Sequence, residues 1–232
     1  MIQYYSPDLK RTLTLSAEEA HHCIKVLRRK PGDTIYVTDG KGKRYECEIL
    51  KADTREIQLQ IIDESTVNKK WKNQIILGVA PTKNADRMSW LVEKATEIGI
   101  DKICFFKSRN SERKNINIER LKRNAISAMN QSLKTYLPEL SGPVNLKDLT
   151  EYNCDKYFGY CDSETERAEF VKDYRGGDVI ILIGPEGDFD RDEVEMLRNN
   201  GFTAVTFGEE RLRTETAALY GITAVHIINQ MK

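Results

Sequence analysis

From residue 74 to residue 230 short apolar runs alternate with longer amphipathic stretches, and this alternation constrains the fold more than any other feature. Apolar runs occur at 74–80, 102–106, 157–161, 178–183 and 203–207. Between them the apolar period switches to that of a helix. Over 84–98 it puts Met88, Leu91, Val92, Ala95 and Ile98 on one face, with Gly99 as the stop. Over 118–133 Ile118, Leu121, Ala125, Ala128 and Met129 turn inward. The stretch 190–199 opens with Asp190 and Glu193 at capping-box spacing, and Phe189 and Val194 are placed as a hydrophobic staple. A last helix is predicted over 214–230. Strands joined through helices require crossovers, so the spacing predicts a mostly parallel sheet covered on both faces.

The first 68 residues follow another rule. Period-two segments at 34–38 and 44–50 flank Asp39-Gly40, a hairpin signal, and 56–62 reads as a third strand. One helix interrupts them, capped by Ser16 with Glu19 completing a capping box, and runs to about Leu27 before Pro31-Gly32. The polar stretch STVNKKWKN, 65–73, reads as a linker. The expected organisation is a small β-barrel domain over 1–68 and an α/β domain over 74–232. The last helix, with TAALYGITAVHIIN, is apolar nearly all round, so it is expected to be buried, against its own sheet or against a second subunit.

Charge narrows the function. Thirty-six basic residues balance 36 acidic ones, which argues against polyanion binding by global charge. The distribution is uneven. Lys107, Arg109, Arg113, Lys114, Arg120, Lys122 and Arg123 are opposed locally only by Glu112 and Glu119. Lys25, Arg28, Arg29 and Lys30 follow His21 and His22, and Lys41, Lys43 and Arg44 form a third group. Each cluster alone is ordinary solvated charge; three together suggest a localised phosphate-binding face. No apolar run approaches the ~20 residues of a membrane helix, and the first residues lack a secretory apolar segment. Five scattered cysteines without a CxxC pair and three histidines suggest neither disulfides nor a metal site, so a cytoplasmic protein without metal is expected.

Two segments carry the chemistry. ILIGPEGDFD (181–190) and FGEERLRTETAALY (207–220) each place a glycine at a strand end, then a polar loop, then a helix. Ligands of open α/β sheets sit at the carboxyl ends of strands, and glycines let backbone approach a flat ligand. The phosphate-binding GxxxxGK[ST] and dinucleotide GxGxxG patterns are absent, as are HExxH and a nucleophile elbow.

In order along the chain, HHCIKVLRRKPGD (21–33), KNADRMSWLVEKATEIGI (83–100), NQSLKTYLPEL (130–140), IGPEG and FG..R.LR.ETA resemble the RsmE-type 16S rRNA (uracil-N3) methyltransferases of the SPOUT superfamily. The resemblance spans essentially the whole chain. It implies an N-terminal PUA-like RNA-binding barrel, a C-terminal α/β domain with a deep trefoil knot, a homodimer, S-adenosyl-L-methionine as cofactor, and 16S rRNA of the small ribosomal subunit as substrate. By motif position Ile183, Gly184, Glu186, Gly187, Phe207, Gly208, Leu212, Arg213 and Ala217 should line the cofactor pocket. Arg211, Arg213, Glu215 and Gln131 are the candidate catalytic residues. The arginines would stabilise a uracil anion, Glu215 would accept a proton or orient an arginine, and Gln131 would bond the base edge. His22, Arg28, Arg29, Lys83, Arg87, Arg109, Arg113, Lys114 and Lys134 are the candidate RNA contacts. Asp188 stands where most members have a second glycine, and Asp tolerates the left-handed conformation such a loop needs. A SPOUT enzyme acting on ribose 2′-oxygen or tRNA, and a noncatalytic assembly factor, remain as alternatives.

Overall fold

The computed structural model describes residues 2–53, 55–112, 115–162 and 166–232. The chain divides into two compact units, Met1–Lys70 with Ile126–Leu137, and Trp71–Ala125 with Pro138–Lys232.

The first unit begins with β1 (Gln3–Tyr5), α1 (Leu9–Thr12), β2 (Thr14–Leu15) and α2 (Ala17–His21). It continues through β3 (Thr34–Thr38), β4 (Lys43–Ala52) and β5 (Ile57–Thr66). The sheet order is β1-β3-β4-β5-β2. Ser6, just past β1, donates its hydroxyl to the Thr14 carbonyl at 3.1 Å, which draws the two edge strands together. Alternate residues of β3, β4 and β5, among them Val37, Tyr45, Cys47, Ile49, Ile57 and Leu59, fill one core with Tyr4, Leu9 and Cys23.

The single helix expected here is modified. Ser16 caps α2 by accepting from the Glu19 amide, but His22–Val26 continues as a π-turn rather than an α-helix. Glu19 does not close the capping box. Its Oε1 accepts from the Tyr5 amide at 3.3 Å and from Asn130 Nδ2 at 3.0 Å. Asn130 belongs to Ile126–Leu137, a segment the sequence pattern assigns to the α/β run but which clusters with the first unit. Further bonds hold it there. Gln3 Nε2 donates to the Lys134 carbonyl at 2.6 Å, Arg44 to the Leu133 carbonyl at 2.6 Å, and the Gly42 amide to Thr135 at 2.8 Å.

The second unit follows the alternation. In order come β6 (Ile75–Val79), α3 (Ala85–Ile98), β7 (Lys102–Lys107), α4 (Ile118–Gln131, whose last turns join the first unit) and β8 (Glu139–Asn145). Then follow β9 (Asp155–Gly159), β10 (Ala168–Glu169), α5 (Phe170–Asp173), β11 (Val179–Ile183), α6 (Arg191–Asn199), β12 (Thr203–Thr206) and α7 (Thr214–Gln230). The sheet order is β10-β12-β9-β11-β6-β7-β8, and every pairing is parallel. Every residue of β6 and β11 is buried, as expected of central parallel strands.

Both faces are covered. Ile76, Ile180, Leu182, Phe158 and Ala204 pack with Val194 and Leu197 of α6. On the other side α7 lies on β6 and β11 beside α3. Gly221 permits that approach, since a Cβ there would meet Ile181 Cδ1 at 3.1 Å and the Phe207 ring at 3.3 Å. Thus α7 is buried largely against its own sheet, although Tyr220 and Ile227 remain exposed. No helix among the described residues is long and apolar enough to cross a membrane.

Candidate active site

β9, β11 and β12 are parallel neighbours, so the loops leaving their carboxyl ends emerge at one edge of the sheet. These loops wall a cleft of about 1410 Å³. This exceeds the roughly 300–1,000 Å³ usual for a small-molecule pocket, leaving room for a cofactor and part of a second substrate. Ile183, Gly184, Glu186, Gly187, Phe207, Gly208, Leu212, Arg213 and Ala217 all line it, so the structure brings the nine expected cofactor residues together. Arg211 and Arg87 line it too. The third wall, Gly159 to Asp162, carries no motif that sequence reasoning singled out.

The first motif loop is heavily tied down. Asp188 has φ 61°, the left-handed conformation its residue type was expected to tolerate. Its Oδ2 accepts from the Cys161 amide at 2.8 Å and its Oδ1 from its neighbour Phe189's amide at 2.9 Å. Burial nevertheless pushes the Asp188 carboxyl above the usual range, against the lowering effect of those amides and of Arg211. Asn110 Nδ2 donates to the carbonyls of Gly187 and Asp188, at 3.3 and 3.0 Å. Downstream, Asp190 caps α6 and both halves of the capping box with Glu193 are present. Glu193 is buried and also accepts from Ser108 Oγ at 2.9 Å and the Arg109 amide at 3.0 Å.

The second motif loop is open. Gly208 has φ 129°, and a Cβ added there would meet nothing within 4 Å. Thr206 Oγ1 bonds the carbonyl of Gly208 at 2.6 Å and its amide at 3.3 Å, a turn closed on itself. Glu209, Glu210, Arg211 and Arg213 are exposed. The loop then enters α7, where Thr214 Oγ1 donates to the Gly184 carbonyl at 3.2 Å and joins the two motifs.

The remaining candidates separate. Glu215 is buried, and its Oε1 lies 3.6 Å from Arg87 Nε; Oε2 is buried with no partner among the described residues. It sits behind the lining rather than in it. Gln131 is exposed at the end of α4 and, with Lys134, belongs to the first unit. Arg109 is paired with Asp190 at 3.0 Å and with Asp192, so part of its charge is already neutralised. Lys83 pairs with Glu112 at 3.0 Å, and its amide lies 3.4 Å from Glu186 Oε1. On the first unit His22 and Arg28 are exposed, whereas Arg29 is half-buried, 3.9 Å from Asp33. Arg113 and Lys114 lie outside the described residues.

Two glycines let aromatic rings pack directly against the strand ends that wall the cleft. A Cβ on Gly184 would meet the Phe189 ring at 3.1 Å, and one on Gly159 would meet the Phe207 ring at 2.9 Å. Phe207, stacked edgewise on Phe170 and near Tyr220, gives the wall an aromatic side.

Comparison with known proteins agrees with this geometry. The model of the RNA methyltransferase domain matches residues 69–226, and that of the RNA methyltransferase PUA domain matches residues 15–62. Ribosomal RNA small subunit methyltransferase E of Aquifex aeolicus is 31% identical over 225 residues, covering 93% of this chain and 95% of that protein. The crystal structure of a probable rRNA-methyltransferase from Porphyromonas gingivalis superimposes with a TM-score of 0.94 at 37% identity, covering 100% of this chain and 99% of that one. Ribosomal RNA small subunit methyltransferase E from Neisseria gonorrhoeae, solved bound to S-adenosyl methionine, shares the fold with a TM-score of 0.84 at 24% identity over 98% of both chains.

Proposed function

Since this chain belongs to the ribosomal RNA small subunit methyltransferase E family of RNA methyltransferases, we propose that it binds S-adenosyl-L-methionine in the cleft and methylates N3 of one uridine in 16S rRNA. The observation that carries this reading is the convergence of both glycine motifs on one cleft beside two exposed arginines.

The cofactor supplies an electrophilic methyl group on a sulfonium. The rest falls to side chains and solvent. Uracil N3 holds a proton at neutral pH, and its loss to bulk water leaves the anion that takes up the methyl group. Arg211 and Arg213, at the cleft and exposed, are placed to stabilise that anion. Arg87 on α3, which also lines the cleft, offers a third cation. Glu215, buried and paired with Arg87, serves as its orienting partner rather than as a base in contact with substrate.

RNA contacts are assigned to His22, Arg28, Arg29 and Lys134 of the first unit and to Lys83, Arg113 and Lys114, with Arg109 a lesser contributor because of its two aspartates. The exposed Tyr220 and Ile227 of α7 are the apolar part of a homodimer contact. We infer a cytoplasmic protein from its proposed ribosomal RNA substrate.

The test is nucleoside analysis of 16S rRNA after incubation with the protein and isotopically labelled S-adenosylmethionine. Labelled 3-methyluridine is expected. Label on a ribose 2′-oxygen, or no label with undiminished RNA binding, overturns the reading.

A further inference from the structure

The three walls of the cleft come from loops far apart in sequence; one side chain bonds a second wall from its own and lies within electrostatic range of the third. Asp188 lies on the loop after β11. Its Oδ2 accepts the amide of Cys161, on the loop after β9, at 2.8 Å. Arg211, on the loop after β12, is close enough to act on its charge. Residue 188 holds the left-handed φ of 61° at which its carboxylate makes these contacts, and Asn110 secures its carbonyl at 3.0 Å. Non-glycine residues rarely occupy this region, and those that do need compensation from their surroundings.

We propose that Asp188 is a positioning residue for the cofactor, a staple whose carboxylate fixes the Gly159–Asp162 wall against the Gly184–Gly187 wall. The inference rests on the reading that this cleft holds S-adenosylmethionine. Asp188 touches neither the transferred methyl group nor the base; it acts by holding the Cys161 amide, and with it the width of the cleft. An ionised carboxylate can accept on both oxygens, whereas a protonated one offers a hydroxyl toward an amide that is itself a donor. Ionisation of Asp188 is therefore part of the device. The groups that face it are Arg211, which favours the anion, Asp162, which opposes it, the Cys161 thiol and the Tyr160 phenol. Because burial already pushes this carboxyl upward, cofactor binding should weaken on acidification at a higher pH than an ordinary aspartate would dictate.

Two substitutions separate positioning from stability. Asp188→Asn keeps the size and the tolerance of positive φ but turns one acceptor into a donor facing the Cys161 amide. Asp188→Gly removes the staple and relieves the backbone at once. Amide hydrogen exchange on the cofactor-free protein reads the staple directly, and calorimetry with S-adenosylmethionine reads its consequence. Both variants should lose protection at the Cys161 amide and bind the cofactor about tenfold more weakly, the scale of one charge-assisted hydrogen bond. Asp188→Gly should do so without loss of thermal stability. The acid limb of the wild-type affinity profile should be absent from Asp188→Asn. Unchanged Cys161 protection, wild-type affinity in the glycine variant, or an acid limb that survives in the asparagine variant each overturns the staple. A wild-type protein that binds no S-adenosylmethionine overturns instead the reading on which it rests, while the exchange result stands apart.

Discussion

The two glycine loops of the cleft are close in sequence pattern and opposite in construction. The loop after β11 is secured by Asn110, by Asp188 and by a complete capping box at α6. The loop after β12 bonds mainly to itself through Thr206 and turns its charged side chains to solvent. Satisfied polar groups hold a backbone in one arrangement, while exposed arginines remain available to a partner. The contrast teaches a division of labour. On the function proposed above, the first loop is the preformed part of the cofactor seat, while the second adds Gly208 to that seat and turns its arginines toward the RNA base.

The most severe way to break this contrast is Arg213→Ala. Loss of a preorganised cation at a developing anion typically costs about 100-fold or more in turnover. Turnover of 16S rRNA should fall by that order, while calorimetric affinity for S-adenosylmethionine stays within about threefold. If affinity and turnover fell together, Arg213 would hold the cofactor rather than the uracil anion. Gly208→Val comes next. There is space for the side chain, but φ 129° is a conformation that a β-branched residue resists. The loop must move, and cofactor affinity should drop by about tenfold, the lower end of what such backbone strain costs. Near-wild-type calorimetry would show that the second loop does not contribute to the seat.

Glu193→Ala attacks the support of the first loop from behind. It strips acceptors from Ser108 Oγ and from the amides of Arg109 and Asp190. Stability should fall by about 2–3 kcal/mol in urea titration, since buried donors are left unmatched. Cofactor affinity should fall with it, and a variant that keeps full affinity would show that the seat needs no such support.

The smallest effect serves as a control. Glu19 is also a partly buried carboxylate, but in the other unit, and burial pushes it up to about 7. A carboxyl raised in the folded state favours the protonated fold, so its contribution is present below the ordinary carboxylate range and is lost as pH rises through about 7. Wild-type stability should therefore decline between pH 5 and pH 8, and Glu19→Gln should flatten that decline. The urea midpoints at the two pH values measure it. An identical slope in the variant would assign the decline to other groups.

The contrast between the loops was only partly legible in the sequence. Glycines at strand ends, the Asp190–Glu193 spacing and the residue type at 188 are local signals, and they pointed to the cleft, the α6 cap and a left-handed turn. The Asp188–Cys161 bond spans 27 residues and depends on β9 lying beside β11, which no window of sequence contains. The same reason hides the pairing of Arg109 with Asp190 and Asp192 and the burial of Glu215 beneath Arg87. Strand β8 was missed because ELSGPVN carries Gly and Pro; it lies at the edge of the sheet, where a missing amide is tolerated. Strands β1, β2 and β10 are two or three residues long, too short for a period to register. The helix after Ser16 was legible at its cap and not in its π-turn, which no residue-level rule marked.

The return of Ile126–Leu137 to the first unit bears on how the protein is made. A ribosome releases residues in order, and a unit contiguous in sequence can close as soon as its last residue emerges. Here the five-strand sheet is complete at Thr66, yet Gln3, Glu19, Gly42 and Arg44 wait for partners at Lys134, Asn130, Thr135 and Leu133. In the interval the chain must produce β6, α3 and β7. The N-terminal unit is begun first but is finished only after the second unit is under way, so on the nascent chain the two are assembled as interleaved tasks.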